Sequence, residues 1–298
     1  MNSKKSIGVF GKVDPLKHRY LNYLKDFFNL TIRQISLPSE VAEVLGVVLL
    51  ECDEEILWKA VDSDIPIILE IPFASNLDKE IQLLELLDTQ RAKVLLPVIA
   101  TNHIKLIKLR SLIANTSVFG LLQSLHVTMV YDKCYLREEP YTGKRYSGRL
   151  VYQLLNLIDI FSSISLQNLE ELKVWTSEKN KEVVLMHVRL GEAIGTGISA
   201  TANIGLTTAS PIQVHVEATF SNRIVVWDST EQSLLLRGDY CPTVIQWYIS
   251  VDEVIAWRFV TLFENVTPID NELKRITRSY KLLAEILKKN DEYPESER

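Results

Sequence analysis

Residues 45–71 read LGVVLLECDEEILWKAVDSDIPIILEI, which is two short apolar runs separated by a polar segment with helical spacing. Such runs are typical of strands buried on both faces. The pattern continues on either side, with predicted strands at Ser6–Phe10, Leu30–Ser36, Leu45–Cys52, Ile65–Ile71 and Lys93–Ile99 and predicted helices at Glu54–Val61, Leu77–Thr89 and His103–Ala114. A further helix is predicted after the first strand, where Leu16, Tyr20, Leu24 and Phe27 recur at helical spacing. Strands that alternate with helices predict right-handed βαβ units and a parallel sheet.

The pattern changes after about residue 120, where strand follows strand. Predicted strands are Leu121–Tyr131, Leu172–Thr176, Glu182–Leu190, Ser199–Thr207, Gln213–Thr219, Arg223–Asp228 and Ser233–Arg237, with one apolar helix at Leu150–Ser162. Two helices end the chain, Val251–Asn265 and Asn271–Lys289. Consecutive strands after a βαβ half predict a second, α+β domain on a mainly antiparallel sheet.

Composition excludes several classes of protein. The chain has 298 residues, 47% of them apolar and 24% charged, which is typical of a globular protein with a sizeable core. Thirty-three Lys and Arg against 38 Asp and Glu give a net charge of -5, so no broad basic surface for nucleic acid is expected. No apolar run approaches the ~20 residues that cross a bilayer, and the first residues lack the features of a secretory signal. We therefore expect no membrane partner and a cytoplasmic location.

Metal-binding and disulfide patterns are missing from the sequence. Its three cysteines, Cys52, Cys134 and Cys241, are widely spaced and form no C-x-x-C pair, which predicts reduced thiols. The five histidines are scattered, with His126, His187 and His215 inside predicted strands. Because none is spaced like a metal ligand, no metal cofactor is expected.

Gly8 and Gly11 flank the end of the first predicted strand, where a dinucleotide fingerprint would lie. The full G-x-G-x-x-G pattern is broken, because Val13 and Leu16 stand where small residues are needed. The motif is compatible with a phosphate loop and equally with an ordinary turn between a strand and a helix. A second glycine-rich stretch, residues 195–200, lies between predicted strands with no helix after it, which argues against a nucleotide loop.

The segment at residues 137–149, REEPYTGKRYSGR, concentrates positive charge and aromatic rings before the apolar helix. Arg145 and Arg149 could bind an anionic group, and Tyr146 could stack on a planar one. A solvated connecting loop explains the same composition.

The order of these elements resembles the glucose-fructose oxidoreductase/inositol dehydrogenase (Gfo/Idh/MocA) family over nearly the whole chain. Residues 69–74, LEIPFA, are similar to the E-K-P-L-A stretch of that family, and residues 259–287 are similar to its closing region. The resemblance implies an α/β fold with a truncated Rossmann-like domain at 1–115. It also implies an α+β domain with a large open sheet at 116–298, the C-terminal helix packing back on the first domain.

The resemblance also implies which residues would form a site, and several depart from the family pattern. NAD or NADP would contact Gly8, Gly11, Glu70 and Pro72, but the lysine of the family motif falls on Ile71. The helix that reads Gly-x3-Asp-x3-His-x2-Asp in the family reads Gly148, Tyr152, Asn156 and Asp159 here. An isoleucine donates no hydrogen bond and an amide exchanges no proton near pH 7, so the usual hydride chemistry is not expected.

Three functions remain open at this point. The first is a non-catalytic ligand-binding or assembly module, with a small molecule in an interdomain cleft and a homo-oligomer formed through the open sheet. The second is a divergent NAD(P)H-dependent reductase, similar to biliverdin or thiazoline reductases, whose planar substrate lies near Arg145, Tyr146 and Arg149. The third is an enzyme without a dinucleotide, in which Tyr152 or His103 donates a proton beside Asn156 and Asp159.

Overall fold

The structure is a computed structural model that describes residues 5–14, 18–97, 106, 116–132, 154–160, 169–176, 184–190, 198–207, 213–228, 233–237, 243–246, 249–263 and 270–292. Within the described part, the chain divides into two compact units. One contains the strands of the first hundred residues together with Ile249–Lys281, and the other contains the strands that follow residue 120. The predicted boundary after residue 115 falls outside the described residues and stays a prediction.

The first unit contains a five-stranded parallel sheet with helices between its strands, as the sequence predicts. Its strands are β1 Ser6–Phe10, β2 Thr31–Gln34, β3 Gly46–Leu49, β4 Ile67–Leu69 and β5 Val94–Leu95, in the spatial order β2-β1-β3-β4-β5. Its helices are α1 Tyr20–Asp26, α2 Glu54–Asp62 and α3 Leu77–Thr89. The short connection between β2 and β3, residues 35–45, contains one 3₁₀ helix, Pro38–Glu43. This confirms that this half is truncated, because β2 is the edge strand of the sheet among the residues that the structure describes.

The core of the first unit includes a helix from far along the chain. Ile255, Ala256, Phe259 and Leu262 of helix α6, which spans Val251–Phe263, are buried together with Ile7, Val9 and Leu24. Gly46 makes this packing possible, since a Cβ there would lie 2.7 Å from the Phe259 ring and 2.8 Å from the Phe263 ring. The first unit is therefore completed by residues 200 positions away in sequence.

The second unit contains an eight-stranded sheet that is antiparallel except for one pair. Its strands are β6 Leu122–Asp132, β7 Leu169–Thr176, β8 Val184–Leu190, β9 Ile198–Thr207, β10 Gln213–Phe220, β11 Ile224–Asp228, β12 Ser233–Arg237 and β13 Thr243–Gln246, in the order β13-β12-β11-β10-β6-β9-β8-β7. Among the strands that the structure describes here, β6 and β9 form the one parallel pair. Of the remaining described helices, α4 Thr116–Phe119 and α5 at residues 154–160 belong to this unit, whereas α7 Asp270–Glu292 belongs to the first unit as far as Lys281. This confirms the predicted open, mainly antiparallel sheet.

Several predicted details were wrong. The predicted strand Ile65–Ile71 shortens to β4 because the Ile65 amide instead donates to the Ala60 carbonyl, at 2.9 Å, and closes helix α2. Phe27, predicted on the apolar face of the first helix, is 74% exposed and stacks on Tyr23 with ring centroids 5.7 Å apart. Strand β13 was not predicted at all. The predicted helix at His103–Ala114 lies outside the described residues apart from Leu106, which is helical and buried.

Candidate functional site

The carboxyl edge of the parallel sheet is the candidate site. The strand order reverses between β1 and β3, because β2 is added on one side of β1 and the later strands are added on the other side. Ligands of open α/β sheets bind outside the carboxyl ends of the strands at such a switch point. Four connections meet this edge in the first unit, namely residues 11–14 after β1, 35–37 after β2, 50–53 after β3 and 70–74 after β4. Their backbone N–H groups are the donors that an anionic ligand would need.

The two glycines of the broken fingerprint have different neighbours. Gly11 adopts φ +97°, a left-handed conformation that favours glycine, and a Cβ there would lie 3.0 Å from the backbone nitrogen of Glu51. The Gly11 carbonyl accepts a hydrogen bond from Gln34 Nε2 at 3.0 Å. At Gly8 the nearest atoms belong to the apolar side chains of Ile35 and Val44. Gly8 therefore serves close packing, and only Gly11 has the conformation of a phosphate-loop glycine.

The connection after β1 is held by hydrogen bonds to a buried histidine. The backbone N–H of Asp14 donates to the ring Nδ1 of His18 at 3.0 Å, and the backbone N–H of His18 donates to the Asp14 carbonyl at 2.9 Å. His18 is buried, and its ring contacts Tyr20 edge-on with centroids 6.2 Å apart. The Asp14 donor therefore already has an acceptor from this chain.

The backbone N–H groups of the connection after β2 are bound by Glu40. Its Oε2 accepts from the backbone N–H groups of Ser36, at 2.7 Å, and Leu37, at 2.9 Å. These hydrogen bonds, with the charge of Arg33, hold the pKa of Glu40 below its usual range. Arg33 also binds Glu43 at 2.6 Å. The sequence analysis missed Glu40, although Pro38 and an acidic residue two positions later are typical of a helix start.

The first turn of α1 is bound by a carboxylate from α6. The Tyr20 backbone N–H donates to Asp252, and the charge of Arg19 lies near the same carboxylate. Burial nevertheless raises the pKa of Asp252 above its ordinary value. Ser250 strengthens this contact by donating to the Tyr23 hydroxyl at 3.3 Å and accepting from the Glu253 N–H at 3.1 Å. No local sequence signal could have predicted that residue 252 meets residue 20.

The connection after β4 is anchored by two carboxylates. Glu70 Oε1 accepts from the Tyr20 hydroxyl at 2.8 Å. Glu80, a fully buried residue of α3, accepts from the Phe73 N–H at 2.8 Å and the Ala74 N–H at 3.3 Å. Ile71 is buried with an apolar side chain, and the Ile71–Pro72 peptide bond is cis. The segment is therefore fixed in place, with no cation at the position of the family's lysine.

Of the other predicted site residues, Asn156 and Asp159 are the two that the structure describes. Both lie on α5, whose seven residues are all buried, and the two are buried with their neighbours. The positions His103, Arg145, Tyr146, Arg149 and Tyr152 lie outside the described residues, so their roles stay predictions. Cys52, beside the carboxyl edge, is not an activated nucleophile, because burial and the neighbouring Glu54 raise the pKa of its thiol to about 11.

The described residues contain neither a metal-binding cluster nor a membrane-spanning helix. Among these residues, no group of three or more His, Cys, Asp and Glu side chains has the arrangement of a metal site. In the same part of the chain, no helix is both long enough and apolar enough to span a membrane.

Solved structures of known proteins share this architecture at low sequence identity. An oxidoreductase of the Gfo/Idh/MocA family from Vibrio cholerae is 14% identical, with a TM-score of 0.65, and the match covers 97% of this chain and 98% of that one. Levoglucosan dehydrogenase, in complex with NADH and levoglucosan, is 13% identical with a TM-score of 0.69 and coverage of 96% and 97%. A super-repressor mutant of Gal80p from Saccharomyces cerevisiae is 12% identical with a TM-score of 0.71 and coverage of 96% and 95%.

No protein-family model and no curated protein matches the sequence. The similarity is therefore carried by the order and pairing of the strands and helices rather than by shared residues. Over nearly its whole length, this divergent chain has the fold of the Gfo/Idh/MocA family oxidoreductases, which the order of its predicted elements already resembled.

Proposed function

We propose that this chain is a ligand-binding or assembly module on an oxidoreductase fold, without dinucleotide-dependent catalysis. One observation carries the proposal. Backbone donors in three places near the carboxyl edge already have acceptors from the chain itself: Asp14 has His18, Ser36 and Leu37 have Glu40, and Tyr20 has Asp252. A dinucleotide phosphate would have to displace these acceptors, and each displaced carboxylate would lose its hydrogen bonds.

The charges at this edge support the proposal. Glu51 contacts the Gly11 turn, with its Cγ 3.2 Å from where a Gly11 Cβ would lie, and Glu70 lies at the end of β4. Two nearby cations are paired with carboxylates, Lys79 with Glu54 at 2.6 Å and Arg33 with Glu40 at 3.0 Å. Carboxylates close to a pyrophosphate repel it, and this repulsion is strongest where water is excluded.

Hydride transfer lacks support from the residues that would perform it. Ile71 cannot hold a nicotinamide or a substrate by charge, and Asn156 cannot act as a general acid or base near pH 7. Among the structures with this fold, the Gal80p structure is described as that of a super-repressor mutant, whereas levoglucosan dehydrogenase was solved with NADH. The fold is therefore compatible with either role, and the chain's own residues favour the non-catalytic one.

A divergent NAD(P)H-dependent reductase is the second candidate. It is favoured by Gly11, whose left-handed conformation is that of a phosphate-loop glycine. It is also favoured by Tyr20, whose hydroxyl is oriented by Glu70 at the carboxyl edge. In this case the side chains of His18, Glu40 and Asp252 would release the backbone N–H groups when the cofactor binds.

Titration with NADH and NADPH separates the two candidates. Nucleotide fluorescence and the melting temperature would be followed up to millimolar cofactor, with adenosine, which lacks phosphates, as the control ligand. A ligand present at 100 times its Kd stabilises the folded state by about 2.7 kcal/mol, so binding would raise the melting temperature measurably. We expect no shift with either cofactor. Saturable binding at micromolar NADH or NADPH, absent with adenosine, would overturn the proposal in favour of the reductase.

A further inference from the structure

Two aromatic side chains lie at the carboxyl ends of β1 and β3, where the strand order reverses. Tyr20 begins α1, which follows β1, and its hydroxyl donates to Oε1 of Glu70, the residue after β4, at 2.8 Å. Because β3 lies between β1 and β4 in the sheet, the Tyr20 side chain crosses the end of β3. The His18 ring contacts the Tyr20 ring edge-on, and both residues are buried. The place where an open α/β sheet binds its ligand is therefore occupied by the chain itself.

The Tyr20 ring separates the strand ends from a carboxylate nearer the surface. At the strand ends, the Leu50 N–H donates to the Phe10 carbonyl at 2.9 Å, and the Glu70 N–H donates to the Leu49 carbonyl at 3.0 Å. Tyr20 and Leu50 belong to one buried cluster, whereas Glu70 is half-buried. Removal of the ring would therefore open a crevice that extends from the strand ends to the half-buried carboxylate.

The contacts of Tyr20 indicate which ligand chemistry this crevice accepts. The backbone N–H of Tyr20 donates to Asp252, its ring contacts His18, and its hydroxyl donates to Glu70. A molecule in place of the phenol must therefore offer an aromatic ring to the buried cluster and an O–H or N–H donor to Glu70. An anion would instead be repelled by the carboxylates of Glu70 and of Glu51 at the same edge.

We propose that Tyr20 is an autoinhibitory contact at the carboxyl edge: its phenol is an internal ligand of Glu70, and an uncharged aromatic molecule with an O–H or N–H donor enters the crevice only by displacing it. The inference rests on the proposed ligand-binding function and names the ligand class and the regulation of that site. In the displaced state the Tyr20 hydroxyl donates to water and the ligand donates to Glu70. Hydrogen bonds are thus exchanged rather than lost, which makes the displacement reversible.

Hydrogen exchange tests the contact in a full-chain variant that keeps the ring. Tyr20→Phe removes the hydroxyl that donates to Glu70, so local opening of the crevice should become more frequent. The readout is the exchange rate of the Leu50 amide divided by that of Val48, two residues deeper in β3. We expect this ratio to rise about tenfold, the effect of losing a hydrogen bond to a carboxylate. Tyr280→Phe, which alters a fully buried tyrosine of α7, is the matched control and should leave the ratio unchanged.

Small aromatic probes test the ligand class in Tyr20→Ala by isothermal titration calorimetry. The probes are p-cresol, which is the free form of the tyrosine side chain, and toluene, which lacks the hydroxyl. We expect the variant to bind p-cresol about tenfold more tightly than toluene, and about tenfold more tightly than the wild type, in which the phenol competes. The larger 2-naphthol should also bind Tyr20→Ala, because the crevice reaches the half-buried Glu70. It should not bind Tyr280→Ala, whose hole lies in the closed core.

Each outcome bears on the inference. An unchanged exchange ratio in Tyr20→Phe would overturn it, and so would equal affinities of Tyr20→Ala for p-cresol and toluene. Binding of 2-naphthol to both alanine variants or to neither would show that Tyr20 is an ordinary core residue. If circular dichroism shows that Tyr20→Ala is unfolded, the exchange ratio decides alone. NADH binding to the wild type would overturn the proposed function without changing these readouts, so the two failures are distinguishable.

Discussion

Glu40 and Asp252 are two carboxylates near the same sheet edge whose pKa values shift in opposite directions. Both carboxylates accept backbone N–H groups. At Glu40, whose side chain is 24% exposed, two N–H donors and Arg33 lower the pKa. Asp252 is largely buried, and the loss of hydration raises its pKa despite Arg19 and the Tyr20 donor. At Glu40 the two backbone hydrogen bonds outweigh the loss of hydration, whereas at Asp252 the loss of hydration outweighs Arg19 and the single hydrogen bond, so the larger contribution decides the direction of each pKa shift.

Asp252→Asn tests the raised pKa. The folded protein holds the Asp252 proton more tightly than the unfolded chain, so wild-type stability falls as pH rises from the ordinary aspartate pKa through the raised one. The variant lacks this group, and its amide oxygen can still accept the Tyr20 N–H. We expect its free energy of unfolding, relative to wild type, to increase as pH rises through that window, measured by urea denaturation at a series of pH values. Glu253→Gln is the neighbouring control, and a pH-independent difference for Asp252→Asn would contradict the prediction.

Helix α6 belongs to the parallel-sheet unit only through tertiary packing. It follows β13 of the large sheet in sequence, yet Phe259 is completely buried in the core that contains β1 and α1. The close approach of α6 to the start of β3 depends on Gly46, whose missing side chain leaves room for two aromatic rings. The Phe259 and Phe263 rings also contact each other edge-on, with centroids 5.2 Å apart. This element is thus held by shape rather than by polar contacts alone.

Gly46→Ala should loosen α6 from the sheet. The added Cβ would lie within 3 Å of both rings, and overpacking of this kind typically costs about 1–3 kcal/mol. The free energy of unfolding from urea denaturation measures the loss, and hydrogen exchange of α6 amides would locate it. Trp257→Ala is the control on the same helix, because this exposed residue should contribute less than about 0.5 kcal/mol. Equal stability of Gly46→Ala and wild type would show that the rings move aside freely.

At the scale of the whole molecule, the net charge of -5 repels negatively charged partners such as nucleic acid. Nucleic-acid binding needs clustered lysines and arginines that neutralise phosphates. In the first unit, cations such as Arg33, Lys79 and Lys93 are instead paired with carboxylates of the same chain. The charge balance is the reason for expecting that nucleic acid is not a partner, and this expectation stays a prediction.

Fluorescence anisotropy with a short labelled duplex DNA at low salt tests this expectation. We expect no saturable binding up to about 100 µM protein, the weak end of non-specific affinities near 10⁻⁴ M. Micromolar binding that weakens steeply with added salt would contradict the prediction. It would direct attention to the basic residues at 137–149, with Arg145→Ala and Arg149→Ala as the variants to compare.

Local signals predicted some elements to the residue. Helix α3 spans Leu77–Thr89, as predicted, because Asn76 caps it by accepting the Lys79 N–H at 2.9 Å and its apolar residues recur at helical spacing. Helix α2 begins at Glu54, as predicted, because the Asp53 side chain accepts the Ile56 N–H at 3.0 Å. Strand ends were predicted less well, since a strand extends only as far as its neighbour pairs with it.

The residues of the candidate site also fall into two groups, those with a local sequence signal and those without one. Gly11 and Glu70 were identified from the sequence because a broken fingerprint and a short stretch after a strand are local features. Asp252 was not identified, because its contact with Tyr20 joins positions more than 200 residues apart and no local sequence pattern predicts it. Glu80 was also missed, since a carboxylate in the first turn of a helix is usually exposed to water rather than buried under Phe73 and Ala74.

The sequence by itself determined the fold class, the parallel and then antiparallel order of the strands, and the loss of the family's lysine and histidine. These depend on apolar periodicity and residue type, which are properties of neighbours along the chain. Only the tertiary structure decided that α6 completes the first unit and that the donors at the carboxyl edge are taken by Glu40, His18 and Asp252. Such contacts depend on how the folded chain places each side chain, which apolar periodicity does not specify, and the contacts of α6 and Asp252 form only when distant segments meet.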